Sequence, residues 1–130
     1  LDVKKKLFGD YDIFTHNGKN KTGLKPSQFV KLLEENGAGE IVINSIDKDG
    51  MMNDYDYNLI DLIRKEHSLP MTVIGGAGNL NHIKSLIDKY KIIGCAAGSL
   101  FVFKGKYKAV LINYPDKIEK NNLISNIIWG

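Results

Sequence analysis

The stretch "TVIGGAG", residues 72–78, decides the fold, because an apolar run of strand length stops there in three glycines among four residues. Glycine lets a backbone N–H group approach a ligand oxygen closely, and a helix that begins just afterwards adds a favourable dipole for an anion. The alternative is that these glycines only permit a tight turn or close helix packing. The stretch therefore predicts a buried strand followed by a loop that serves a ligand, packing or both.

Two further strand-length runs accompany this one. "EIVINSI", residues 40–46, precedes it, and "IIGCAAGSLF", residues 92–101, follows it. Helical patterns of apolar residues occur between and before these runs, over residues 27–36, 57–67 and 79–90. In the first of these helices Phe29, Val30, Leu32 and Leu33 are expected to lie on one face. Strands separated by single helices require crossover connections and therefore form a parallel sheet. The sequence predicts an α/β fold, with Asn79 as the N-cap of the third helix.

The two ends of the chain fit the same scheme. "LDV", residues 1–3, resembles the end of a strand, and "YDIFTHN", residues 11–17, an extension that returns toward the sheet. Counting residues 1–3, about four βα units are expected. Residues 104–115 alternate like an edge strand or hairpin, and residues 116–130 indicate a terminal helix. We expect one domain over residues 1–130 with a divergent tail at 104–130, and a chain that opens on Leu1 is expected to be truncated at its N-terminus.

Composition narrows the class of protein. The 130 residues are 43% hydrophobic and 25% charged, which is typical of one globular domain. The net charge of +3 comes from 18 Lys and Arg among 15 Asp and Glu, which suits an anionic small molecule and gives weak support for nucleic acid. Cys95 is the single cysteine, and neither a membrane span nor a signal peptide is evident. We expect a cytoplasmic protein without membrane or nucleic-acid partners.

The loops after the predicted strands carry the candidate site. Gly75 and Gly76 follow one strand, and Gly98 and Ser99 follow the next. One such loop alone favours the packing alternative, whereas two on successive strands favour a phosphate cradle, as in barrels that bind phosphate after their last two strands. Asp47 and Asp49 follow the preceding strand. A carboxylate beside a phosphate is repelled by it unless the carboxylate accepts hydrogen bonds, for example from sugar hydroxyls, so these residues favour a sugar phosphate over free phosphate. The alternative is that this acidic loop is a solvated turn, and its ligand spacing excludes an EF-hand.

Three ordered motifs carry a family resemblance. They are "FTHNGKNKTG" (residues 14–23), "GAGEIVINSIDKDGMMNDYDYNLI" (37–60) and "VIGGAGNLNHI" (73–83). From Leu1 to about Phe103 the chain resembles the C-terminal half of the cyclase subunit of imidazole glycerol phosphate synthase, the HisF family of histidine biosynthesis. The resemblance implies half of a TIM (β/α)8 barrel, with strands five to eight of the eight.

The same resemblance implies a chemistry. Complete members take ammonia from a glutaminase partner, a HisH-like subunit, and react it with a bisphosphorylated ribulosyl aminoimidazole carboxamide. The products are imidazole glycerol phosphate and the aminoimidazole carboxamide ribotide. The resemblance implies neither a cofactor nor a metal ion.

Individual residues match the family's functional positions. Asp2 matches the catalytic aspartate at the end of strand five, which works as general acid or base during ring closure. Asn17 and Gly18 match positions near the substrate, and the family often has Ser or Gly where Asn17 stands. Asn44 stands where many members have threonine, and it retains the ability to form hydrogen bonds.

The phosphate positions match as well. Asp49 and Gly50 match the loop near the second phosphate, and the matching binding groups are Gly76, Gly98 and Ser99. Asp47 belongs to the same pattern, where a structural role competes with a chemical one. Lys4 matches a lysine after strand five, with a solvated surface charge as the alternative.

Two departures limit the transfer. The family's other catalytic aspartate lies on strand one, which this chain does not contain, so residues 1–130 alone are expected to be inactive. The tail "LFVFKGKYKAVLINYP", residues 100–115, looks instead like a paralogous branch that channels ammonia to a surface-polysaccharide sugar amidotransferase. A third alternative is a non-catalytic phosphate-binding half-barrel. Half a barrel also leaves open strand edges, so we expect it to pair with a missing N-terminal half or with a second copy of itself.

Overall fold

The computed structural model describes residues 1–125 and consists of one mixed sheet with helices against it and a small separate hairpin. The strands of the sheet are β1 (Asp2–Lys5), β2 (Tyr11–Thr15), β3 (Asn20–Lys21), β4 (Ile41–Ser45), β5 (Met71–Ile74) and β6 (Gly94–Cys95). The helices are α1 (Pro26–Glu35), α2 (Tyr57–Arg64), α3 (Leu80–Tyr90), α4 (Ser99–Val102) and α5 (Lys117–Ile124). The hairpin pairs β7 (Phe103–Lys104) with β8 (Ala109–Val110).

Four strands of the sheet run parallel, in the order β1-β4-β5-β6. A helix separates each strand from the next along the chain, since α1, α2 and α3 lie in turn between them. This arrangement confirms the predicted α/β class and the four βα units of a partial TIM barrel. The predicted extension over residues 11–17 is also confirmed, because β2 folds back antiparallel on β1 and β3 continues that edge of the sheet.

The two faces of the sheet differ in burial. One face packs against the helices and buries alternate residues such as Val3, Ile43 and Val73 under Leu59 and other apolar helix residues. The opposite face carries Asp2, Asn44 and Ile74, which lie side by side in register and are only partly buried. In a closed barrel this second face lines the interior. We call the face that carries Asp2, Asn44 and Ile74 the open face, because its residues are less buried within residues 1–125 than Val3, Ile43 and Val73 on the helix-packed face.

The helices follow the predicted patterns, with one exception. Asn79 caps α3 as predicted, because its side-chain oxygen accepts a hydrogen bond from the His82 N–H group at 3.0 Å. In α1, Val30 is buried, whereas Leu32, which was predicted to face the same way, is exposed. That prediction was wrong because two residues correspond to about 200° around a helix, so Leu32 points away from the sheet.

The tail also forms elements where the sequence predicted them. The alternating segment is the β7–β8 hairpin, and α5 begins with a capping box between Asp116 and Glu119 and packs against α3. Residues 126–130 of the predicted terminal helix lie outside the described part of the chain. Within residues 1–125, no helix has the length and apolar character needed to cross a membrane.

Candidate functional site

Three loops at the carboxyl end of the parallel strands meet around one hollow. Its lining includes the predicted cradle residues Gly75, Gly76, Gly98 and Ser99 together with Asp49 and Gly50, which were predicted for the loop near the second phosphate. Met52, Ile74, Ala77 and Ala97 complete the wall. Residues up to 50 positions apart in sequence are therefore brought together because β4, β5 and β6 are neighbours in the sheet. The topology places the site where parallel α/β sheets bind their ligands.

Backbone N–H groups supply hydrogen-bond donors in this hollow. Gly76 and Ala77 are buried, and neither of their N–H groups has an acceptor among the described residues. The N–H groups of Gly98 and Ser99 also have no acceptor there. A buried amide without a partner is costly, at about 1–3 kcal/mol, so such groups normally meet water or a ligand oxygen. The hollow is thus chemically suited to an oxyanion such as phosphate.

The glycines of the hollow are required for two different reasons. Gly76 has φ +109°, and a Cβ atom built there would lie 2.2 Å from the carbonyl oxygen of Asp54. Its own carbonyl accepts a hydrogen bond from the Asp54 N–H group at 2.8 Å, so the two loops are in direct contact. At Gly98, by contrast, a Cβ atom would meet nothing within 4 Å. Close packing is enough to explain why position 76 is glycine, whereas the space beside Gly98 could hold a side chain.

Asp2 and Asn44 form a hydrogen-bonded pair beside the hollow. The Asn44 side-chain NH2 group donates to Asp2 Oδ1 at 3.0 Å, on adjacent strands of the open face. The other end of the Asn44 amide, Oδ1, is buried and has no hydrogen-bond partner in residues 1–125. A Cβ atom at Gly75 would lie 3.4 Å from that oxygen, so the pair adjoins the wall of the hollow. The Asp2 carboxylate is therefore held by Asn44, whose side chain lies between Asp2 and the Gly75 side of the hollow.

Asp47 has a structural contact. Its Oδ2 accepts a hydrogen bond from the backbone N–H group of Lys5 at 2.7 Å, which ties the loop after β4 to the end of β1. Asp49 and Lys4 are exposed. Of the two predicted aspartates, only Asp49 lines the hollow, because the side chain of Asp47 is committed to the backbone of β1.

Asn17 and Gly18 lie in the turn between β2 and β3 and do not line the hollow. Both have positive φ, 57° and 76°, so a tight left-handed turn is built here. A Cβ atom at Gly18 would lie 3.3 Å from the Cδ1 atom of Ile46. Ile46 comes two residues after Asn44, and residues two apart along an extended segment share a face. The turn is thus held over the open face at the same end of the sheet.

Two tyrosine hydroxyls form hydrogen bonds to segments near the loops of the hollow, and the sequence analysis did not identify either of them. Tyr55 is buried and donates to the carbonyl oxygen of Ala96 at 3.2 Å, while Tyr11 donates to Asp56 Oδ1 at 2.9 Å. Burial is the main cause that raises the pKa of both hydroxyls, so both stay protonated and remain donors at neutral pH. Neither the strand position of Tyr11 nor the loop position of Tyr55 carries a local sequence signal of such contacts.

No group of three or more His, Cys, Asp or Glu side chains suited to a metal ion occurs among residues 1–125. The fold and the loops define the chain as part of a (β/α) barrel with an amide-lined hollow at the carboxyl end of its strands. The profile of a family described as "Histidine biosynthesis protein" matches residues 1–108, and the chain belongs to this family.

Curated relatives show the same affiliation. The chain is 51% identical over 125 residues to a Vibrio vulnificus protein named "Putative imidazole glycerol phosphate synthase subunit hisF3", covering 95% of this chain and 48% of that protein. A Leptospira interrogans protein named as subunit HisF of the same synthase is 51% identical over 124 residues, which cover 95% of this chain and 49% of that protein. A Pseudomonas aeruginosa protein named as subunit hisF2 of the synthase is 40% identical over 116 residues, which cover 89% of this chain and 46% of that protein. The chain thus spans about half the length of the curated relatives it matches.

Proposed function

We propose that residues 1–130 are the C-terminal half-barrel of a cyclase-type subunit of imidazole glycerol phosphate synthase. The observation that carries this proposal is one carboxylate, Asp2, held by Asn44 at the same end of the parallel sheet as an amide-lined hollow. Membership of the histidine biosynthesis family and the names of its relatives support it. The complete protein would react ammonia, supplied by a glutaminase subunit, with a bisphosphorylated ribulosyl aminoimidazole carboxamide.

In this proposal the hollow binds one phosphate of the substrate. The N–H groups of Gly76, Ala77, Gly98 and Ser99 donate to phosphate oxygens, and the Ser99 hydroxyl is an additional donor. Gly50 keeps the loop after β4 clear of side-chain bulk, since a Cβ atom there would also meet nothing within 4 Å. The exposed Asp49 carboxylate would accept hydrogen bonds from substrate hydroxyls, which offsets its repulsion from the phosphate.

Asp2 would act as the general acid or base that transfers protons during ring closure. A carboxylate that transfers protons in the transition state contributes about 10²–10⁴ in rate. The hydrogen bond from Asn44 fixes one Asp2 oxygen and leaves the other, Oδ2, to face the substrate. Asn17 and Gly18 would contact the part of the substrate that lies across the open face.

A preceding half-barrel would complete the site. It would cover the open face of the sheet, pair with its exposed edges and contribute the aspartate expected on strand one. Residues 1–130 alone are then expected to bind phosphate without turning over the substrate, and to associate with a second copy when no other half is present.

An enzyme assay tests the proposed activity. The complete protein is incubated with a saturating ammonium salt and the bisphosphorylated substrate, and imidazole glycerol phosphate is measured by chromatography. Product that forms in proportion to ammonia supports the proposal. Absence of product at high ammonia, from protein shown to be folded, would reject it.

A separate experiment tests the phosphate site. Inorganic phosphate is titrated into 15N-labelled protein, and amide chemical shifts are followed by NMR. The amides of Gly76, Ala77, Gly98 and Ser99 should shift saturably, whereas those of the exposed turn residues Gly23 and Gly37 serve as controls within the same spectrum. If the control amides shift as much as those of the hollow, phosphate binding is unspecific and the site is misplaced.

A further inference from the structure

The tail presents apolar side chains to solvent on a short extended segment. Val110 and Ile112 are 75% and 83% exposed, and Tyr107 and Tyr114 on either side are exposed as well. Four such residues within eight positions exceed the isolated exposed apolar residues that are normal on a protein surface. This part of the hairpin therefore has the composition of a contact surface.

The backbone of the same segment has one paired and one open edge. Leu111 and Asn113 donate their N–H groups inward, to the carbonyl oxygens of Val102 and Phe101, each at 2.9 Å. Because the direction of N–H groups alternates along an extended chain, Val110 and Ile112 direct theirs outward. Ile112 lies outside the strands, and its N–H group has no backbone acceptor within residues 1–125. A free edge with β-branched residues is a template for another strand.

The net charge of the protein is concentrated in this tail. Residues 1–103 hold 13 basic and 13 acidic side chains, which leaves no net charge. Residues 104–130 hold five basic and two acidic ones, so the whole formal charge of +3 lies there; the basic residues are Lys104, Lys106, Lys108, Lys117 and Lys120. Two tails brought edge to edge would repel each other, whereas acidic side chains would be attracted.

We propose that the open edge of residues 110–114 binds an extended segment of a partner protein by β-strand addition, and that this segment alternates apolar with acidic residues. The outward N–H and C=O groups of Val110 and Ile112 pair with the partner backbone, and the lysines of the hairpin attract its acidic side chains. This inference does not depend on the cyclase activity.

The proposed partner would sit next to the candidate site. The hairpin follows the Gly98–Ser99 loop through α4, and the ring of Phe101 in α4 packs against the ring of Tyr114 with centroids 4.9 Å apart. A strand bound to this edge is thus mechanically connected to one wall of the hollow.

Peptide binding to the complete protein tests the proposal. The probe is a fluorescein-labelled nine-residue peptide that alternates Glu with Val, and the comparison is the same peptide with Lys in place of Glu. Fluorescence anisotropy should show at least tenfold tighter binding of the acidic peptide. Ile112→Pro, which removes an outward N–H group, should weaken that binding at least tenfold, whereas the matched control Ile112→Thr keeps the N–H group and the branched side chain shape and should retain most of it.

Several results would overturn the proposal. Equal binding of the acidic and basic peptides, or no saturable binding of either, would exclude the predicted partner chemistry. Undiminished peptide binding by Ile112→Pro, with an unchanged melting temperature, would exclude strand addition. Binding to phosphatidylserine vesicles that Ile112→Pro leaves intact would assign the surface to a membrane, and dimerisation that Ile112→Pro abolishes would assign it to a second copy.

Discussion

The contrast between Gly76 and Gly98 gives the most discriminating prediction. Gly76→Ala puts a methyl group 2.2 Å from the Asp54 carbonyl oxygen, at a residue whose φ is +109°. An unfavourable backbone region costs about 1–3 kcal/mol, and overpacking a close contact costs about 1–3 kcal/mol more. Together these costs lower the free energy of unfolding by about 2–6 kcal/mol. A typical domain has a free energy of unfolding of only about 5–15 kcal/mol. Gly76→Ala should therefore lower the melting temperature strongly.

Gly98→Asp should have the opposite profile. A side chain at Gly98 meets open space, so the free energy of unfolding should change by no more than about 0.5 kcal/mol. A unit charge about 5 Å from a phosphate charge costs about 3 kcal/mol at an effective dielectric constant of about 20, and exposure to solvent reduces this. We expect at least about tenfold weaker phosphate binding, which corresponds to about 1.4 kcal/mol.

The assay combines thermal melting with phosphate titration by calorimetry on the complete protein. Gly98→Asn, which has nearly the same shape without the charge, is the matched control for Gly98→Asp and should bind phosphate more tightly than the aspartate variant. Equal phosphate affinity in these two variants would refute the hollow as the anion site. A Gly76→Ala protein as stable as the wild type would refute the close contact between the two loops.

Three further predictions concern single side chains. Lys21→Met removes a cation 3.2 Å from the buried Asp12 carboxylate and should lower the free energy of unfolding in urea by about 1–2 kcal/mol; because Lys6 Nζ lies 3.5 Å from the same oxygen, an unchanged urea midpoint would show that Lys6 and solvent suffice to neutralise Asp12. Tyr11→Phe removes the 2.9 Å hydrogen bond to Asp56, the N-cap of α2, and should cost about 1 kcal/mol in the same assay, whereas no loss would mean that water replaces the hydroxyl. Burial raises the pKa of the Cys95 thiol from 9.0 to about 11, so at pH 8 the folded protein should react with iodoacetamide about 100-fold more slowly than an unfolded control; equal rates would contradict the buried setting.

Local patterns were sufficient to predict most of the elements. The strands at residues 41–45 and 71–74 and the helix at residues 80–90 follow from short-range periodicity and from a cap such as Asn79, all of which are visible in the sequence. The exposed Leu32 shows the limit of this approach. Its helix offers more apolar residues than one buried stripe holds, and only the packing of α1 determines which of them lies outside.

The candidate site was predicted only in part, because its groups depend on tertiary structure. The positions came from glycine loops and from a family resemblance, and six of them line one hollow. The hydrogen bond between Asp2 and Asn44 requires the register of two strands that are 42 positions apart in sequence. The donors of Gly76 and Ala77 belong to the backbone, so no side-chain pattern reveals which amides are left without an acceptor.

The most direct test of the central proposal is the ammonia-dependent turnover of the complete protein with Asp2 replaced by asparagine. Asp2→Asn keeps the shape and the contact with Asn44 but cannot transfer a proton as a carboxylate does. We predict that the rate of imidazole glycerol phosphate formation falls by about 100-fold or more while phosphate affinity and melting temperature stay at wild-type values. A variant that turns over substrate at the wild-type rate would contradict the role of Asp2, and with it the proposal that this half-barrel carries a catalytic carboxylate of the cyclase.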